Sequence, residues 1–70
     1  MANIKLLQDK IYDSGITITA LSRKTGVSRA TLHNRLAGRH GEFTVSEVVA
    51  LTSALHLSIE ERDKIFFSKG

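Results

Sequence analysis

Two short helical patterns meet across Gly26, Val27 and Ser28, and that junction constrains the chain more than any other feature. Residues 18–25 suit a helix capped by Thr17, with Ala20 and Leu21 on its inward side. Gly26 supplies the positive φ that stops it. Ser28 is a good cap for a second helix over 29–37, where Leu32 and Leu36, four apart, share a face. A turn this short makes the two axes cross steeply. Leu21, Val27, Leu32 and Leu36 then hold the pair from inside, and Ser22 is small enough to let the helices touch.

The remainder reads as helix too. Proline is absent and glycines are few, so little interrupts the backbone hydrogen-bond ladder. Ile4, Leu7 and Ile11 form one stripe over residues 4–13, with Leu6 and Tyr12 alongside, Asn3 as cap and Ser14-Gly15 as the stop. "TVSE" places Thr44 and Glu47 three apart, the spacing of a capping box, ahead of Val48, Leu51 and Leu55. His56 or Leu57 ends that helix, and "SIEE" repeats the device with Ser58 and Glu61. The last helix, about 59–67, carries Ile59, Ile65, Phe66 and Phe67. "GITIT" (15–19) alternates with period two but is too short to carry a sheet. The expectation is an all-α fold of five helices in a single domain over residues 1–70.

Charge is distributed unevenly. The net charge is only +3, yet no acidic residue lies between Asp13 and Glu42. That segment holds Arg23, Lys24, Arg29, Arg35 and Arg39, with His33 and His40 as further possible cations. Such local positive charge fits one face that meets phosphate, or a solvated basic face without a partner.

Other chemistries find little support. There is no cysteine, hence no disulfide, thiolate zinc site or thiol redox step. His33, His40 and His56 lack the spacing of a metal site, so neither metal nor cofactor is expected. Glu60, Glu61 and Asp63 sit at a helix start, where acids meet the dipole favourably. Ser14, Ser22 and Ser28 have no visible base, and the chain is not expected to be an enzyme. No apolar run approaches the roughly 20 residues of a membrane span. Gln8, Asp9 and Lys10 interrupt any signal-peptide core, so a complete, cytoplasmic chain is expected.

"TITALSRKTGVSRATLHNRLAG" (17–38) resembles the helix-turn-helix of the phage Cro and lambda-repressor-like family, the XRE-type regulators. "FTVSEVVALTSALHLSIEE" (43–61) is similar to that family's fourth helix and the start of its fifth, and "EERDKIFF" resembles small regulators of Gram-positive bacteria and their prophages. The resemblance runs from about residue 4 to about 62. It implies a lambda-repressor-like domain whose helices 2 and 3 form the helix-turn-helix, with helix 3 in the DNA major groove.

Carried over residue by residue, Ser28, Arg29, Ala30, His33 and Asn34 occupy the base-reading face. Arg29 suits guanine O6 and N7, Asn34 suits adenine N6 and N7, and Ala30 suits a thymine methyl. Thr17, Thr19, Arg39 and His40 are placed for phosphate. Arg35 suits either a phosphate, the favoured role, or an acid elsewhere in the domain. Two positions depart from the family pattern. Ile18 stands where many relatives carry a glutamine that contacts DNA and braces helix 3, so Ile18 either meets a methyl or sugar or helix 2 sits differently. Thr25 stands where a larger apolar residue is usual, which implies looser packing.

Phe66 and Phe67 cannot point the same way, so one suits the core and the other an exposed site; they suit a two-fold dimer interface, weak until DNA is present, or both fold back onto helix 1. The implied function is a sequence-specific regulator of a double-stranded operator, acting as a Cro-like repressor by promoter occlusion. The alternative is an antirepressor or interaction module that binds a repressor protein. An antitoxin role is a third.

Overall fold

A computed structural model describes residues 2–39 and 41–67. Five helices follow one another: α1 (Ile4–Ser14), α2 (Ile18–Thr25), α3 (Arg29–Leu36), α4 (Val45–Ala54) and α5 (Ile59–Phe66). There is no strand among the described residues. Each helix begins on a side-chain cap. Asn3, Thr17, Ser28, Thr44 and Ser58 accept from the amides of Leu6, Ala20, Thr31, Glu47 and Glu61. In α4 and α5 the box closes, because Glu47 and Glu61 each accept in return from the cap amide, at 2.9 and 2.8 Å. A cap of this kind contributes about 1 kcal/mol, so most helix starts are decided within four residues of sequence.

The helix ends are less uniform. Gly15 and Gly26 close α1 and α2 in the left-handed region. α3 stops at Leu36 with Ala37 as cap, and Gly38 follows at φ 75°. α4 ends without glycine, at Ala54, and His56 takes the left-handed turn at φ 52°. A β-carbon there crowds the carbonyl and costs about 1 kcal/mol or more.

Leu7, Ile11, Leu21, Leu32, Val48, Leu51, Ile65 and Phe66 form the core, one or two from every helix. Leu7, Leu21, Leu32, Leu51 and Ile65 are almost completely buried, each stabilising the fold by about 1.5–3 kcal/mol. Ile16, Ile18, Val27, Leu36, Phe43, Leu55 and Leu57 pack around this centre half-buried. α2 packs on both α3 and α4, while α1 spans α3 and α5. The cap of α1 is pinned to α5, since the Asn3 amide donates to the Ile65 carbonyl at 2.6 Å. Lys10 on α1 forms an ion pair with Glu61 on α5.

Several apolar residues lie outside the core. Tyr12 is 86% exposed and Ile59 69% exposed, although both belong to the apolar sets of their helices. The two phenylalanines divide. Phe66 is buried and meets Phe43 edge to face, with ring centroids 5.3 Å apart. Phe67 is 59% exposed, with the Arg62 guanidinium over its ring. Phe66 is therefore corrected from interface residue to core residue: rotation by one helical position turns it inward.

Candidate nucleic-acid interface

The α2–α3 junction is built as the residue pattern requires. Gly26 takes φ 74°, and its amide donates back to the Ser22 carbonyl at 2.9 Å. A β-carbon at Gly26 would meet nothing within 4 Å, so glycine is needed there for backbone conformation alone. Thr25 stitches the turn. Its hydroxyl donates to the Leu21 carbonyl at 2.7 Å and accepts from the Val27 amide at 3.2 Å. The looser packing expected at Thr25 is thus replaced by hydrogen bonding that an apolar side chain could not provide.

With Leu32 turned inward, α3 presents its other side to solvent. Ser28, Arg29, Ala30 and His33 are exposed, and Ala37 continues the same face one turn beyond His33. Asn34 is half-buried at the edge of this ridge, and its carbonyl accepts from the Arg39 amide at 2.8 Å. Four of the five expected base-reading residues therefore stand clear, and Asn34 flanks them. Ala37 has no signal in the sequence beyond its spacing.

Thr17 and Thr19 are exposed at the start of α2. The Thr17 hydroxyl accepts from Ala20, so it already caps the helix end whose amides and dipole favour an anion. Arg39 is exposed just beyond α3, and Arg23 and Lys24 are exposed on the last turn of α2. His40 lies outside the described residues. Ile18 is half-buried and packs against the core, a role that neither expected alternative included.

Arg35 departs from the favoured expectation. Its Nε donates to Glu47 Oε1 at 3.1 Å and its Nη2 to Oε2 at 3.3 Å. Both side chains are only 14% exposed. Arg35 thus makes the tie between α3 and α4, the second of the two roles expected for it rather than the favoured one. Burial alone would raise the Glu47 pKa. The Arg35 hydrogen bonds and the Thr44 amide outweigh it and hold the carboxyl below the usual range. A second brace comes from α1, where Gln8 Nε2 donates to the Leu36 carbonyl at 3.1 Å. Nothing in the residue pattern singles out Gln8, because its partner lies 28 residues away.

At least four of the seven acids are paired with cations. Glu47 holds Arg35, Glu61 holds Lys10, Asp63 holds Arg62, and Asp9 pairs with Lys5 along α1. Arg23, Lys24, Arg29 and Arg39 are exposed and lie in the acid-free segment between Asp13 and Glu42, the kind of local charge that a phosphate-lined groove attracts. No helix among the described residues is long and apolar enough to cross a membrane.

Comparison with curated proteins and with solved structures gives no match. A family model described as a helix-turn-helix domain matches residues 12–65, which includes both helices of the bend, α4 and all of α5 but its last residue. A helical pair joined through Gly26, an outward polar ridge on its second member and a matching family model lead to one conclusion: the chain belongs to this helix-turn-helix domain family, that of DNA-binding regulators.

Proposed function

We propose that the protein is a sequence-specific regulator of double-stranded DNA, a Cro-like repressor of the phage or prophage type that acts by covering a promoter. The observation that carries this reading is the exposed Ser28–Arg29–Ala30–His33 ridge within an acid-free segment. α3 inserts into the major groove, while Thr17, Thr19 and Arg39 grip phosphates on either side. The domain acts as one binding unit, in the cytoplasm with its DNA, without cofactor or catalytic step.

One copy has a longest dimension of 29 Å. Two half-sites one DNA turn apart are about 34 Å apart, so a second copy is needed to read both. Phe67, Val45 and Val49 are exposed around a groove of about 380 Å³ floored by Phe43, Val48 and Phe66. That apolar rim suits a weak two-fold contact completed on DNA. The same groove favours the second reading, an antirepressor that binds a repressor protein.

Gel-shift titration of random and selected operator DNA at two salt concentrations tests the proposal. Counterion release from about three to five phosphate contacts per copy predicts a log–log salt slope of about −2.7 to −4.5 per copy. Failure to bind either DNA at low salt would remove the regulator reading and leave the antirepressor.

A further inference from the structure

Arg29 is the first residue of α3, and its side chain reaches back across the bend to α2. Its Nη1 donates to the Thr19 hydroxyl at 3.4 Å, the side chain's one hydrogen bond among the described residues. The two residues are ten apart in sequence and on different helices. We infer that Thr19 is a positioning residue that determines the sequence preference of Arg29, by holding one guanidinium nitrogen so that the opposite edge faces the groove. This rests on the DNA-binding reading above and deepens it.

The chemistry of the partner matters. Arg35 and Arg62 are held by carboxylates, which neutralise them and occupy their donors. Arg29 is held by a neutral hydroxyl, which restrains the side chain and leaves its full charge available. Guanine presents O6 and N7 to two parallel N–H groups. With Nη1 turned toward Thr19, the Nε and Nη2 hydrogens form the free fork of the required geometry. An unrestrained arginine would have to give up rotamer freedom on binding, and it could reach neighbouring base pairs as well. The Thr19 oxygen accepts from Arg29, so its own O–H remains able to donate to a phosphate. A single threonine then links the register on the backbone to the base that is read.

The test is the affinity for a DNA site selected from a random pool, against every single-base variant of that site. The proteins compared are wild type, Thr19→Val, Thr19→Ser, Arg29→Ala and the Thr19→Val/Arg29→Ala double variant. Thr19 is exposed, and melting curves check that each variant folds. Thr19→Val should reduce discrimination by about 3–10-fold, the factor that fixing one rotamer-rich side chain supplies, and only at the base pair that Arg29→Ala relaxes. Thr19→Ser should keep it. In the Arg29→Ala background Thr19→Val should change discrimination no further. Uniformly weaker binding by Thr19→Val, with the preference intact, would make Thr19 a phosphate contact only and overturn the inference. So would an Arg29→Ala variant whose preferences match wild type. A wild-type chain that selects no sequence would overturn the regulator reading itself, and this assignment with it.

Discussion

Replacing Arg35 with methionine separates the two roles open to that residue. The substitution keeps most of the aliphatic stem and removes the guanidinium. Glu47 is then left 14% exposed, with the Thr44 amide at 2.9 Å still donating and two charge-assisted bonds gone. Breaking a buried pair costs about 3–5 kcal/mol, because the remaining charge stays desolvated. Partial solvent access and the surviving capping box lower this to about 2–3 kcal/mol. A chain of 70 residues has about 4–10 kcal/mol in total, so the loss should be plain in urea denaturation. Glu47→Gln keeps the cap and removes the charge, and should cost less. Combined with Arg35→Met it should show a coupling of about 1–2 kcal/mol, since each change removes the same contact. DNA binding measured on folded protein should keep the wild-type salt slope. If Arg35→Met leaves stability within about 0.5 kcal/mol of wild type and lowers the slope by about one unit, Arg35 holds phosphate and the tie to α4 is incidental.

Other expectations follow from particular contacts. His56→Gly should stabilise the domain by about 0.5–1 kcal/mol in thermal or urea unfolding, because it relieves a left-handed β-carbon at φ 52°; unchanged or lower stability would show that no strain is held there. Glu61 is lowered from 4.5 to about 2, by Lys10 and the Ser58 amide, and Glu47 is lowered too, so both bind protons more weakly folded than unfolded. Their stabilisation is present above the ordinary carboxyl range and is lost as pH falls through 4.5 toward 2, and Glu61→Gln should flatten that acid limb of a melting-temperature profile. Lys10 is raised by its bond to Glu61, so its share persists through neutral pH and disappears only at strongly alkaline pH. Phe67→Asp should leave monomer stability nearly unchanged, as the ring is 59% exposed, while weakening cooperative binding to paired half-sites; intact cooperativity would place the dimer contact elsewhere.

Short-range chemistry was legible from the residues alone. Every helix start rests on a serine, threonine or asparagine that caps an amide three residues on. The bend rests on one glycine at φ 74°. The outward face of α3 follows from the inward position of Leu32 and helical spacing. Those features need only a few neighbouring residues, so the order of elements and most of the candidate ridge can be written down without a structure.

Packing decided the rest. Phe66 and Phe67 are chemically identical neighbours, and only the docking of α5 turns one inward and leaves the other exposed. Leu6 and Tyr12 both flank the apolar stripe of α1 by spacing, yet Leu6 packs against the core and Tyr12 is exposed. Arg35 has the composition of a phosphate ligand until the crossing of α3 and α4 brings Glu47 to it. The Thr19–Arg29 contact exists because the bend returns α3's first residue toward α2's start. Local sequence determines which conformation each segment adopts, since caps and turns act over three or four residues. Which side chains meet depends on how the helices cross, and that is determined jointly by every residue in the core.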